Sequence, residues 1–367
     1  MKNRKSPIEK ADALRQKARY RQSLSLLARA VKACGPRDFE GAYKCHLLSG
    51  HNWRMLGNFE KAIAHYEKAI KCAGEISPAE RAKTLLPDAT VSLSLAYRAL
   101  GDWKKALSLL REAEKAYKGL KDEEALAFVL WSKGGTFRIK GDIARAIEAL
   151  AEARRMFAAL GDEHAAGYCL NGLGGANRIK GAYKTSLTYY TKANSLFARL
   201  KDPFGLAYSF CGIGNAMRMM GRHEDALKQF RRALKIYRRI GDIVSSSYTL
   251  WSASKSLMMT GRPKPALKTL KEAEKFFART KDPRGRIYCL LSEAEFAAMN
   301  GGGKKPAELA ARALETSKRR GFAIEACHAS ALLGFFRLNA AREPGAACYR
   351  RLGLKKPDFG KVPVNIP

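Results

Sequence analysis

Acidic residues are scarce in this chain of 367 residues, where 34 Asp and Glu stand against 68 Lys and Arg and leave a formal charge of +34. Long apolar runs are missing too: none approaches the 18 or so residues of a membrane span, and residues 1–10 are polar with no apolar stretch behind them. We therefore expect no membrane span and no secretory signal, and predict a cytoplasmic protein. The uncompensated positive charge favours anionic partners.

Motifs of metal and catalytic sites are also lacking. The eight cysteines form no CxxC pair, and the six histidines show no HExxH spacing. Glycine-rich strings lie within helical periodicity and do not follow a strand, which argues against a nucleotide-binding loop. Hydrophobic residues still make up 46% of the chain, as in globular proteins. We predict a folded protein with no metal, no cofactor and no enzymatic activity.

A pattern of about 40 residues repeats along the chain. Its turn glycines are Gly57, Gly101, Gly141, Gly181, Gly221, Gly261 and Gly301. Five residues after the glycine comes a small residue, at Ala62, Ala106, Ala146, Ser186, Ala226 and Ala266. Between repeats an Asp that can cap a helix recurs at Asp122, Asp162, Asp202, Asp242 and Asp282. Each unit is therefore predicted to be a helical hairpin, and Cys45, Cys169 and Cys289, which share one repeat position, to be small buried residues.

Small residues at two helix-packing positions, an aromatic residue or Leu four residues further on, and a glycine turn resemble the tetratricopeptide repeat, with a period of 40 instead of the usual 34 or so. The resemblance implies an all-α, right-handed superhelical solenoid. We predict one solenoid of about eight helix pairs over residues 1–352, the first pair turning at Ala18. A capping helix from Gly321 to about Ala340, a short helix near residues 346–352 and an extended tail over 353–367 complete the prediction.

In such solenoids the first helix of each pair lines a concave groove, and the resemblance puts its exposed positions three, six, ten and thirteen residues before the turn glycine. Three residues before it stand Arg54, Arg98, Arg138, Arg178 and Arg218. Five successive arginines, here called the arginine ladder, favour an extended anionic partner. The alternative is that these arginines pair with acids of neighbouring second helices.

An aromatic row lies thirteen residues before the glycine and includes Tyr168, Tyr208 and Tyr248. Ten residues before it come Trp131, Asn171 and Trp251. Such rings can stack on bases or hold apolar side chains of a peptide. The alternative is that the tyrosines pack against the preceding second helix. We expect Trp131 and Trp251 to be exposed.

The column six residues before the glycine contains Gly135, Gly175, Asn215 and Lys255. A glycine inside a helix costs about 1 kcal/mol relative to alanine, which suggests that a ligand approaches Gly135 and Gly175 or that the helix is loosened there. Asn215 corresponds to the asparagine with which related repeats clamp a bound peptide. Lys255 adds a cation to this predicted groove.

A second basic feature lies on one face of a predicted second helix, with apolar residues on the other face. It comprises Lys228, Arg231, Arg232, Lys235, Arg238 and Arg239 and is here called the basic face. We predict a non-catalytic scaffold that binds an acidic protein or peptide segment in an arginine-lined groove. The alternative is a protein that binds single-stranded RNA or DNA with the same arginine and aromatic rows.

Overall fold

The computed structural model describes residues 6–337, 346–358 and 361–367. Eighteen helices and no strand occur in these ranges. They are α1 (Pro7–Gln16), α2 (Tyr20–Ala33), α3 (Phe39–Met55), α4 (Phe59–Gly74), α5 (Ala79–Ala99), α6 (Trp103–Leu120), α7 (Glu123–Lys140), α8 (Ile143–Ala159), α9 (Glu163–Lys180), α10 (Tyr183–Arg199), α11 (Pro203–Met219), α12 (His223–Ile240), α13 (Ile243–Met259), α14 (Pro263–Thr280), α15 (Pro283–Met299), α16 (Lys305–Arg320), α17 (Ala323–Arg337) and α18 (Ala346–Arg351).

Contacts within the chain define two compact units, unit 1 over residues 1–132 and unit 2 over residues 133–367. Consecutive helices pack against each other from α1 to α6 in unit 1 and from α8 to α17 in unit 2. Helix α7 begins in unit 1 and ends in unit 2. The predicted all-α solenoid of helical hairpins is confirmed as the fold class, whereas a single solenoid over residues 1–352 stays a prediction.

The predicted hairpin turns are all present. Ala18 and each of the seven turn glycines have positive φ, between 57° and 97°, the left-handed conformation that ends a helix. The five predicted capping aspartates each accept a hydrogen bond from a backbone N–H in the first turn of the next helix. Local sequence therefore sets both ends of most helices.

The core runs between the two helices of each hairpin. The six small residues five positions after the glycine are fully buried, and the larger residue four positions further on packs beside them, as Tyr66 and Phe230 do. Cys45, Cys169 and Cys289 are buried free thiols, as predicted. None of the helices in the described ranges is long and apolar enough to cross a bilayer.

A disulfide between Cys327 and Cys348 joins α17 to α18, a link that the sequence pattern did not predict. Helix α17 is described as far as Arg337, so the predicted helix end near Ala340 lies outside the described residues. The predicted short helix near residue 346 is present as α18.

Candidate binding groove

The inner side of unit 2 is formed by the first helices of its hairpins. Helix α9 contacts α11, α11 contacts α13, α13 contacts α15, and α15 contacts α17. Unit 2 curves strongly, because the turn after α7 approaches the start of α17. A Cβ added at Gly141 in that turn would lie 3.2 Å from the Cβ of Ala323. The inner faces of these helices and of the end of α7 are here called the unit 2 groove.

Three rungs of the arginine ladder belong to unit 2. The space that a Cβ at Gly175 would need is filled by the Arg138 guanidinium and, 3.2 Å from that Cβ position, by the Tyr190 hydroxyl. The nearby Tyr208 phenol raises the pKa of Arg138. The close approach predicted at Gly175 is therefore made by this protein's own arginine. Gly135 is half-buried.

Arg218 is fully buried, with 0% of its surface exposed. Burial and the positive charge of Arg178 lower its pKa to about 9. Its guanidinium donates to the Asn365 side-chain oxygen at 2.5 Å, the Ile366 carbonyl at 3.0 Å and the Asn215 side-chain oxygen at 3.3 Å. Arg178 is half-buried, and its Nε has no hydrogen-bond partner.

The tail of the chain lies in this groove. The Lys355 N–H donates to the carbonyl oxygen of Lys180 at 3.2 Å. Further along, Val364 and Ile366 are each 1% exposed. The Asn365 side-chain amide donates a hydrogen bond of 2.8 Å to the Arg218 carbonyl. Residues 361–367, here called the tail segment, thus use backbone and side-chain groups as a bound peptide does.

Lys255 does not present a free cation to this groove. Its ammonium forms an ion pair with Glu295, and both side chains are 1% exposed. Burial lowers the pKa of Lys255, and the Glu295 carboxylate opposes that shift. The other Glu295 oxygen accepts the Val364 N–H at 2.8 Å. The expectation of Lys255 as an available anion ligand is therefore wrong, because the next repeat supplies its counter-charge.

Trp251 is buried, contrary to the expected exposure, with only 4% of its surface accessible. Its indole N–H donates to the Tyr288 carbonyl and to the Ser292 hydroxyl, and the Arg218 guanidinium lies 5.5 Å from its ring. Strong curvature packs α13 against α15 and covers the ring. Asn215 donates to the Cys211 carbonyl of its own helix at 3.1 Å.

Asn171 differs from these residues in having unmet hydrogen bonds. It is 1% exposed, and neither its side-chain oxygen nor its nitrogen has a partner. A buried amide without hydrogen-bond partners destabilises the unliganded protein. A ligand that forms hydrogen bonds with the Asn171 amide would remove this penalty and bind more tightly for that reason.

The tyrosine row is engaged inside the protein. The Tyr168 hydroxyl donates to Asp202 at 2.6 Å and the Tyr248 hydroxyl to Asp282 at 2.7 Å. The two rings pack on Phe197 of α10 and Phe277 of α14, the second helices of their own hairpins, with ring centroids 4.8 and 4.9 Å apart. Tyr208 is half-buried near Arg138. The rings therefore pack inside the protein, but against the second helix of their own hairpin and not against the preceding one that the alternative named. This packing leaves them poorly placed for base stacking.

Unit 1 holds the other two rungs of the arginine ladder. Arg54 is half-buried near Tyr66, and its Nε has no partner. Arg98 donates to the Ser132 carbonyl at 3.4 Å and lies 5.5 Å from the centre of the Trp131 ring. Trp131 is half-buried and is not the freely exposed ring that the sequence suggested, because it stacks on Phe128 at 5.4 Å.

The basic face lies on α12, and all six of its cations are exposed. Two of them have acidic partners: Asp225 in the first turn of α12 lies 3.2 Å from Lys228, and Glu272 of α14 lies 3.2 Å from Arg238. Arg232 lies 5.4 Å from the Phe210 ring. Surface pairs of this kind contribute 0–1 kcal/mol or so, and the face keeps a net positive charge.

Sequence reasoning missed a buried network at the far end of the unit 2 groove. Arg284 donates two hydrogen bonds to Glu325, at 2.6 and 2.9 Å, and Tyr288 donates a third at 2.9 Å. The buried Lys255–Glu295 pair, by contrast, has a sequence signal, since the two residues occupy the same position of successive repeats with opposite charges. For the tail segment no such signal exists.

Curved layers of helical hairpins with a small-residue core define an α-helical repeat protein, and family models name the repeat. Tetratricopeptide repeat models match residues 54–73, 89–124 and 165–239. The chain thus carries repeats of the tetratricopeptide superfamily, as the sequence pattern indicated. A search of curated proteins found no match.

Solved structures with the same fold include a Rap protein complexed with competence and sporulation factor, at 12% identity and a TM-score of 0.69, covering 94% of this chain and 95% of that one. The Rap conjugation gene regulator of plasmid pLS20, in complex with the Phr* peptide, is 18% identical with a TM-score of 0.65, covering 77% and 75%. The apo quorum sensor NprR from B. thuringiensis is 15% identical with a TM-score of 0.55, covering 94% and 96%. At these identities the likeness concerns the fold.

Proposed function

We propose that this protein is a non-catalytic scaffold that binds a protein or peptide segment in the unit 2 groove. The observation that carries the proposal is the tail segment, an extended stretch of polypeptide held there by Arg218 and Glu295. A groove that satisfies the backbone groups of one extended chain has the hydrogen-bonding groups needed to hold another. Two proteins of the same fold are described by their structures as complexes with a peptide or factor.

The preferred partner is acidic. Two cations of the groove have carboxylate partners, Lys255 with Glu295 and Arg284 with Glu325. The hydrogen bonds of Arg218 go to neutral groups, and Arg138 lies beside the neutral phenol of Tyr208. Arg178 repels Arg218. Aspartate or glutamate of a partner would supply the missing negative charge through charge-assisted, bidentate bonds.

Nucleic acid is the weaker alternative in this groove, because the tyrosine hydroxyls are engaged and the Trp251 ring is buried. The exposed basic face of α12 suits a polyanion better, but it has no row of exposed aromatic rings to read bases. Single-stranded RNA therefore enters the experiment as a competing ligand.

Fluorescence anisotropy of the full chain with labelled twelve-residue peptides tests the proposal. The peptides carry zero, two or four aspartates in an otherwise constant sequence, and binding should strengthen with each pair. The double variant Arg138→Glu with Arg178→Glu should weaken binding of the most acidic peptide at least about tenfold, equivalent to about 1.4 kcal/mol. The matched control, Arg231→Glu with Arg239→Glu on the basic face, should bind it like wild type.

Equal affinity of the groove variant and the wild type for the acidic peptide would reject the groove as the binding site. A labelled single-stranded RNA across a salt series provides the comparison. If RNA binds near 50 mM salt with a steep salt dependence and the control variant loses that binding, the basic face is a nucleic-acid site and the peptide proposal fails as the main function.

A further inference from the structure

The tail segment is anchored like a ligand at its centre. Arg218 bonds to both the side chain of Asn365 and the carbonyl of Ile366, and the Asn365 amide bonds back to the Arg218 carbonyl. On either side of Asn365, Val364 and Ile366 are 1% exposed. The segment thus places one polar side chain between two buried apolar ones.

The charge in this anchor is uncompensated. The tail segment contains no Asp or Glu, and one cation, Lys361. Arg218 is fully buried, yet its hydrogen-bond acceptors are two amide oxygens and a backbone carbonyl, and its Nε has no partner. A buried cation is stabilised most by an ionised acceptor, and bonds to an ionised acceptor are roughly twice as strong as neutral ones.

We infer that residues 361–367 are an internal substitute ligand, and that the partner of the groove displaces them by presenting a carboxylate to Arg218 where Asn365 now places its amide oxygen. This inference rests on the proposed function and names the chemistry of its partner: an extended segment with an acidic residue between two apolar ones. The tail keeps the buried arginine hydrogen-bonded until such a segment arrives.

The tethered tail and a free partner segment compete for the same site. A tethered segment competes at an effective concentration in the millimolar range, so a free segment with the same neutral contacts would bind poorly to the intact chain. A carboxylate facing Arg218 gives up the bond from the Asn365 amide to the Arg218 carbonyl. It gains a charge-assisted contact in a groove with three ladder arginines, and we expect a net gain of about tenfold in affinity.

Two labelled heptapeptides test this inference by anisotropy. One has the sequence of residues 361–367, Lys-Val-Pro-Val-Asn-Ile-Pro, and the other carries the change Asn365→Asp. The proteins are the full chain and a variant with Val364→Lys and Ile366→Lys, which places two cations in a positively charged groove and should release the tail. A second variant, Asn365→Ala, removes only the amide contacts, and Lys361→Ala at an exposed position is the control.

We expect the aspartate peptide to bind every protein about tenfold more tightly than the asparagine peptide. Both peptides should bind the two tail variants at least about tenfold more tightly than wild type or the control. The reason is that a larger fraction of the variant molecules has a groove free of the tail segment. Equal binding of both peptides overturns the role of the carboxylate, and equal binding by wild type and both tail variants overturns the role of the tail. If the heptapeptides fail while acidic twelve-residue peptides bind through Arg138 and Arg178, the proposed function stands and this inference falls.

Discussion

Replacement of Glu295 by Gln keeps the size of the side chain but leaves the Lys255 ammonium without its counter-charge. Both side chains are 1% exposed, so water cannot substitute for the lost carboxylate. Removing one partner of a buried ion pair costs about 3–5 kcal/mol. With a urea slope of about 3 kcal/mol/M for a unit of this size, the midpoint of unfolding should fall by about 1–2 M.

Tryptophan fluorescence can follow unit 2 alone. Trp251 is the only tryptophan after residue 132, so replacing the other three by Phe leaves a single reporter, buried in the same helix as Lys255. The matched control is Glu163→Gln, which breaks the exposed pair with Arg199 and should cost about 0–1 kcal/mol. If Glu295→Gln shifts the midpoint no more than Glu163→Gln does, the reasoning about the buried pair is refuted.

Two other predictions concern unit 2. Gly174→Ala should lower the melting temperature more than Gly175→Ala, because a Cβ at 174 would lie 2.9 Å from the buried Tyr190 ring, whereas at 175 it meets mainly the movable end of Arg138; a larger loss for Gly175→Ala in thermal denaturation would contradict this. Burial lowers the pKa of His328 from 6.5 to about 4, so the folded state keeps this ring neutral. The stability linked to this shift, about 3 kcal/mol, is fully present above pH 6.5 and is lost as the pH falls toward 4. In urea titrations, the free energy of unfolding should fall less between about pH 7 and about pH 4.5 for His328→Asn than for the wild type. An equal fall in both proteins would exclude His328 as the source of this pH dependence.

For the arginine ladder, the sequence predicted the positions of the residues but not their burial. The repeat spacing placed the five arginines at one position of each first helix, and that position is a property of local periodicity. Their environments differ all the same, since Arg218 is fully buried and Arg178 is half-buried. Because Arg218 is fully buried and hydrogen-bonded to the tail segment, its replacement should also lower the stability of the fold.

Tertiary contacts explain the wrong expectations. Trp251 was expected to be exposed because its position in a single hairpin faces the groove, but curvature brings α15 over it. Lys255 was expected to add a cation to the groove because of its repeat position, but Glu295, one repeat away, pairs with it. Opposite charges at one position of successive repeats thus indicate an ion pair between neighbouring first helices.

The sequence by itself determined the helices, the turns with positive φ, the capping aspartates and the small residues between paired helices, because each depends on neighbours within a few residues or within one hairpin. Only the tertiary structure decided what occupies the unit 2 groove. Arg218 and Asn365 are 147 positions apart, and their contact depends on the accumulated curvature of several repeats and on the removal of water around a buried charge. Curvature and desolvation depend on all the repeats of the unit together, so they cannot be predicted from a local sequence pattern.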